Sequence, residues 1–430
     1  MTTGRPGPAI TSETQPCGIR QATEVMPDVH SVAVGFWVGA GSRDESDRRA
    51  GASHFLEHLL FKGTDGRSAA SIAESLDGVG GDCNAFTTKE YTTFYIRLLA
   101  EDLPLGLDIL CDIMCEPALR ELDVAAERTV ILDEILMHAD EPADLVAERW
   151  SGALFPHHPL GRDTLGTPES VADLTAADIR RFFDEHYRPA NVVVSAAGDC
   201  RHEMVAEVLE RRFGGRPGGK APERTAPTEP PAPLVVLRRP TEQAHLVLGA
   251  RSVSRFDEER WALAVLNQVL GGGLSSRLFQ KVREERGLAY SIWSERVSYQ
   301  ETGLVCVTAG TAPSHVGEVL KIVTGELELL AVDGITEREL AVAKGNLRAD
   351  LLLSSEDSGA RMNRLGSSLL LHGEVRTMDQ LLARIEQVDL DDVQRAATRL
   401  ASSPRTLAAV GPFDPDVFDS AALGLAGRAA

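Results

Sequence analysis

His54 and His58 stand four residues apart, with Glu57 directly before the second, in the stretch HFLEHLLFKGT from His54 to Thr64. On a helix, residues four apart project from the same side. Two imidazoles at that spacing can reach one metal ion. Glu57 lies about a third of a turn away, where it can touch a water beside the metal without being a ligand. H-x-x-E-H is the inverse of the H-E-x-x-H arrangement that binds zinc. The bland alternative is a helix that carries two surface histidines.

An open zinc site takes three protein ligands and keeps one position free. The candidates for the third ligand lie in AAERTVILDEILMHADEP. Glu127 and Glu134, seven apart, share one helix face. Asp133 and His138 are rivals. Asp133 points to another side on a shorter arm. His138 falls one turn beyond Glu134, near the helix end announced by Pro142, where a histidine suits the helix dipole.

These side chains need elements to hold them. SHFLEHLLF reads as a helix with Ser53 as its cap and Leu56, Leu59 and Leu60 as its apolar face. NAFTTKEYTTFYIRL, rich in Thr, Tyr and Phe, reads as strand, either at an exposed edge or in a sheet interior. Val32, Val34, Phe36 and Val38 alternate as one face of another strand. LPLGLDILCDIMCEPAL repeats at helical period, and NVVVSAAG is a short apolar strand.

The chain contains two related halves. HSVAVGFWVGAGSRDES from His30 has a counterpart in HLVLGARSVSRFDEE from His245, and RELDVAAERTVILDEIL from Arg120 has one in RELAVAKGNLRADLLL from Arg338. LTAADIRRFF pairs with VDLDDVQRAA, and Gly198 falls opposite Gly411. A nearly constant offset is the mark of an internal duplication. GGRPGGKAPERTAPTEPPAP, Gly214 to Pro233, reads as a Gly/Pro-rich linker. The expected organisation is an α+β chain with domains at 1–213 and 234–430 joined by a linker at 214–233, each domain a largely antiparallel sheet packed with helices. The second copy lacks the ligands. Gly345 stands opposite Glu127, Leu352 opposite Glu134, and ALAVLNQVLGGG, where the first helix should recur, holds no His and no acid. Residues that are present together in one copy and absent together in the other work as a set.

The 430 residues are 43% hydrophobic and 25% charged, ordinary for a globular chain with a core. A formal net charge of -20 argues against nucleic acid or an anionic membrane as partner, since both ask for a basic surface. The six cysteines show no dense framework, so a reducing, cytoplasmic setting is expected, with Cys111 and Cys115 read as core thiols. The start of the sequence has no apolar signal core, and no apolar run is long enough to span a bilayer. GGGLSSRLFQ lacks the lysine of a phosphate loop. His157 and His158 read as a loop feature.

Together these residues resemble the insulinase/pitrilysin family of zinc peptidases, and within it the branch that is similar to mitochondrial processing peptidase. The resemblance runs from Val32 to Gly411 and is carried by GASHFLEHLLFKGT, GGDCNAFTTKEYTTFY, ERTVILDEI, LGTPESVADLTAADIRRFFDEHYRPANVVVSAAGD and GGGLSSRLFQKVREERGLAYS. It implies His54, His58 and Glu134 as ligands of one Zn2+ per chain, Glu57 as general base and Glu127 as a supporting acid. It also implies Asn84, Ala85 and Phe86 as an edge strand that binds substrate backbone, and Arg283 and Tyr290 as residues that the second domain contributes to catalysis.

The expected function is a zinc-dependent endopeptidase acting on peptides or unfolded segments, with Glu57 as base for a zinc-activated water. In the branch that it resembles, two chains commonly face each other to form a chamber; one chain here carries both the metal set and the Arg283/Tyr290 pair, so the resemblance implies a homodimer. The alternative is a non-catalytic or partner-dependent scaffold subunit of the same family.

Overall fold

The computed structural model describes residues 10–418 and 423–425. The chain forms two compact units, each with its own sheet.

In the first unit, β1 (Ile10–Thr14), β2 (Arg20–Val25), β3 (Ser31–Val38), β4 (Asp82–Thr87), β5 (Thr92–Leu99) and β6 (Val192–Gly198) form one sheet in the order β1-β2-β6-β3-β5-β4. Only β2 and β6 run parallel; the other neighbours are antiparallel. β3 pairs Val32 with Leu98 on one side and with Gly198 on the other. Val32, Val34, Phe36 and Val38 face the main core, which Phe55, Leu56 and Leu59 of the Ala52–Leu60 helix and Leu107, Leu110 and Cys111 of the Leu103–Cys115 helix also fill. The alternation read from β3 is therefore real, but its other face is buried too. Ala33 and Trp37 pack in a second apolar cluster with Met362, Leu365 and Leu369.

The second unit holds β7 (Leu234–Arg238), β8 (Ala244–Ser252), β9 (Ala289–Ser298), β10 (Gly303–Thr311) and β11 (Arg405–Gly411), in the order β7-β11-β8-β10-β9. Again one pair, β7 with β11, is parallel. Strand for strand, the order matches β2-β6-β3-β5-β4 of the first unit. The duplication in the sequence is a duplication of this sheet.

The units are not the contiguous stretches 1–213 and 234–430. The first unit comprises residues up to Ile135, Asp163–Glu223 and also Leu352–Thr377; the second comprises Leu136–Arg162, Arg224–Leu351 and the chain from Met378. The segment 214–233 holds no helix or strand, and the division between Glu223 and Arg224 falls inside it. Each sheet borrows a helix from the other half of the sequence. Ser358–His372 covers the outer face of the first sheet, where Gly366 lies so close to the Trp37 indole that a Cβ would overlap it. Two arginines of that helix, Arg361 and Arg364, pair with the buried carboxylate of Glu24 on β2. In the second unit, Pro142–Leu154 lays Leu145, Val146, Trp150 and Leu154 against Val247, Ala408 and Val410, and the Trp150 indole N–H donates to the Thr406 carbonyl at 3.0 Å. The physical reason is the pleat. A strand with apolar side chains on both faces needs cover on both, and each repeat's own helices cover only one.

No helix among the described residues is long and apolar enough to cross a membrane. The six cysteines are unpaired, and burial pushes the Cys111 and Cys115 thiols up, as suits core residues.

Candidate metal centre

The Ala52–Leu60 helix carries His54, Glu57 and His58. It starts at Gly51, which has the left-handed φ of 94° that glycine adopts without strain, and a Cβ there would meet the Leu165 carbonyl. Ser53, expected as the cap, is instead inside the helix and buried. Glu45 does the capping. Its carboxylate accepts from the backbone N–H of Gly51 at 2.8 Å and of Ser53 at 2.7 Å. An ionised acceptor at a helix N-terminus satisfies free N–H groups and complements the dipole.

The helix Glu121–Asp140 brings the other carboxylates. His54 Nε2 and His58 Nε2 lie 3.3 Å apart, and Glu134 Oε2 lies 3.7 Å from the first and 3.8 Å from the second. Among the described residues these three form the one group whose donor atoms all lie within 4.8 Å of one another. Neither Asp133 nor His138 joins it. Donors about 2.0–2.2 Å from a tetrahedral zinc stand roughly 3.3–3.5 Å from each other, so the trio fits the ion with small adjustment. Two imidazole lone pairs facing one another repel, and a cation between them makes the same arrangement favourable.

The supporting contacts are specific. His58 Nδ1 lies 2.8 Å from Glu127 Oε1, and Lys62 Nζ lies 2.6 Å from Glu127 Oε2. Burial pushes the Glu127 carboxyl up, but the hydrogen bonds from Lys62 and His58 outweigh it and hold the group below its ordinary value. An ionised carboxylate only accepts, so Nδ1 of His58 donates and Nε2 keeps its lone pair for a metal.

Glu57 is half-buried and is not in the donor trio. Its Oε2 accepts from the Thr87 hydroxyl at 2.6 Å. Burial pushes the Glu57 carboxyl up; the Thr87 hydrogen bond and the neighbouring His58 offset only part of that. A carboxylate raised this way is a better proton acceptor than an exposed one. Burial, with Glu57 adding to it, also pushes the Tyr187 hydroxyl up, so a neutral group neighbours the base.

Thr87 ends β4, and β4 is the edge of its sheet, paired on one side with β5. Asn84, Ala85 and Phe86 therefore sit on an edge strand, not in a sheet interior. Asn84 is exposed, and the Phe86 ring packs on Trp37, Tyr91 and Tyr95. Arg283 and Tyr290 belong to the second unit, whereas the donor trio belongs to the first. The two residues do meet each other: the Arg283 guanidinium stacks over Tyr290 at 5.2 Å and over Phe279 at 4.8 Å. Arg283 lies in a π-helical turn, Phe279–Glu284, and Tyr290 is 80% exposed on β9.

Lys62 and Thr87 were absent from the residues singled out in the sequence. Lys62 had a visible signal, since it continues the four-residue spacing of His54 and His58. Thr87 had none beyond its place at the end of a strand.

Comparison with known proteins identifies the family. Residues 20–168 match the family profile described as Insulinase (Peptidase family M16), and residues 173–347 match the one described as Peptidase M16 inactive domain. The chain is 45% identical over 409 residues to an uncharacterized zinc protease of Streptomyces coelicolor, covering 93% of this chain and 89% of that one. It is 39% identical to an uncharacterized zinc protease of Bacillus subtilis, covering 92% and 96%. Among solved structures, a peptidase M16 inactive domain from Pseudomonas fluorescens superposes with a TM-score of 0.88 at 21% identity, over 94% of this chain and 98% of that one. A protease from Helicobacter pylori gives 0.85 at 22%, over 94% and 99%. At those identities the two structures speak for the fold alone.

Proposed function

We propose that the chain, which belongs to peptidase family M16, the insulinase family, is an active zinc endopeptidase that cleaves peptides or unfolded segments. The observation that carries this reading is the donor trio, His54 Nε2, His58 Nε2 and Glu134 Oε2, with the carboxylate of Glu57 beside it and outside it. These three residues would hold one zinc ion. Zinc held there supplies a Lewis acid that polarises a carbonyl and lowers the pKa of water from about 16 toward about 7.

Glu57 accepts the proton of the attacking water as its oxygen bonds to the peptide carbonyl carbon, and returns that proton to the nitrogen as the C–N bond breaks. Thr87 holds one Glu57 oxygen and so aims the other. Glu127 fixes the His58 ring. β4 offers backbone groups at a sheet edge, a surface that takes an extended peptide as an added strand with little demand on its side chains. Arg283 and Tyr290 carry donors suited to a developing oxyanion, and that is the role proposed for them. A homodimer in the cytoplasm is the proposed state.

The test compares wild type with Glu57→Gln on an internally quenched, unstructured peptide, with zinc measured in both. Cleavage that is lost in the variant while zinc is kept supports the reading. Zinc in both with cleavage in neither would turn the reading toward a partner-dependent subunit.

A further inference from the structure

We propose that Lys62 is a positioning residue of the metal centre: its ammonium fixes the Glu127 carboxylate and, through it, the ring of His58. The proposal rests on the zinc reading above.

The His58 ring uses both nitrogens. Nε2 faces His54 and Glu134, and Nδ1 faces Glu127 Oε1 at 2.8 Å. The hold on His58 is only as firm as the hold on Glu127. That glutamate is 4% exposed, so water is a poor partner for its second oxygen. Lys62 takes that oxygen at 2.6 Å. With one partner on each oxygen, the carboxylate is restrained against rotation and withdrawal.

The contact also joins two elements. Lys62 follows the helix that bears His54 and His58, whereas Glu127 lies on the helix that bears Glu134. The bond ties the histidine helix to the glutamate helix through His58's far nitrogen. Charge points the same way. Glu57, Glu127 and Glu134 are three carboxylates in one neighbourhood. A divalent ion offsets two of the three charges, and the Lys62 ammonium offsets the remaining one. A lysine pair on open surface contributes little. This pair differs because its acid is buried and holds an imidazole with its other oxygen.

The experiment measures zinc affinity, with no substrate present. The full chain is stripped of metal and titrated with zinc against a chelating dye, as wild type, Lys62→Met, Lys62→Arg, Glu127→Gln and the Lys62→Met/Glu127→Gln double variant. Lys62→Met is expected to weaken zinc about tenfold, at the low end of the range for groups that orient metal ligands. The variant also removes an exposed charge that repels the ion, a smaller and opposite effect. Lys62→Arg, which keeps the charge and a donor, is expected to restore most of the affinity. The double variant is expected to bind no more weakly than Glu127→Gln alone, because the lysine acts only through the glutamate.

Lys62→Met with wild-type affinity would overturn the proposal and leave the zinc reading intact. So would losses that multiply in the double variant, or an arginine that restores nothing. An equal fall in the stability of the metal-free Lys62→Met chain would make Lys62 structural and overturn it as well. A wild type that binds no zinc would remove both the proposal and the reading beneath it.

Discussion

The two units use one sheet design for different ends. β2-β6-β3-β5-β4 and β7-β11-β8-β10-β9 share order and direction, and each takes a covering helix from the other half of the chain. Around the first sheet, two helices deliver His54, His58 and Glu134 to one point. Around the second, the corresponding helices are Arg260–Leu270, with no histidine or acid, and Glu337–Ser354, with Gly345 and Leu352 where the first copy has Glu127 and Glu134. The core tolerates this divergence because ligands contribute little to it. Packing fixes where the helices run, and a handful of polar residues decide whether the place they reach can hold a metal. At one position of the latter helix the second unit uses a polar residue for structure. Glu339, the counterpart of Glu121, is clamped by Arg277 through two hydrogen bonds at 2.7 and 2.9 Å.

The comparison can be broken most sharply at the ligands. His58→Ala or Glu134→Gln removes one of three donors, so zinc content by atomic absorption and peptide cleavage should both fall to background. Loss of cleavage with zinc kept in both would show that the metal sits elsewhere. Glu57→Gln should cost about 10³-fold in kcat, inside the range for a general base, with zinc content unchanged.

The next expected effects lie in the exchanged helices. Met362 is fully buried against Trp37, so Met362→Ala should destabilise the first unit by about 2–5 kcal/mol in urea unfolding. Trp150→Ala should act on the second unit by about 3–5 kcal/mol, with zinc binding kept. Equal loss of zinc from both variants would contradict two separately supported sheets.

Thr87→Val should lower kcat by roughly tenfold, as expected for one hydrogen bond to a carboxylate, and Thr87→Ser should recover most of it. The smallest effect is a pH dependence. Although burial alone would raise it, the Glu339 carboxyl is drawn down to about 2 by Arg277 and the Thr336 N–H. A carboxyl depressed in the folded state stabilises the fold above its ordinary pKa and loses that contribution as pH falls toward the depressed value. Glu339→Gln should therefore flatten part of the fall in thermal stability between about pH 4.5 and 2, and a slope equal to wild type would show the pair to be idle.

Much of this was legible in the sequence, for physical reasons. Histidines at helical spacing and two glutamates seven apart report their common face directly, since the helix fixes both. The duplication showed through offsets near 215, and the alternating apolar residues of β3 marked the face on the main core. The exchange of helices did not show. The apolar stripe of Ser358–His372 says that the helix is covered, not which sheet covers it, and Ala33 and Trp37 carry no sign of a distant partner. The cap was misread for a related reason. Ser53 suits a cap by type, but the helix starts at Ala52, and Glu45, a few residues upstream, accepts from the N–H groups of Gly51 and Ser53 itself. Thr87 and Lys62 are single contacts made between elements; the spacing puts Lys62 in line with His54 and His58 but does not name Glu127 as its partner, and nothing local marks Thr87.

The most direct test is the zinc stoichiometry of the purified chain after removal of loosely held metal. One zinc per chain, lost in Glu134→Gln and kept in Glu57→Gln, is the expected result. No zinc in the wild type, or zinc that survives Glu134→Gln, would contradict a single centre built from His54, His58 and Glu134.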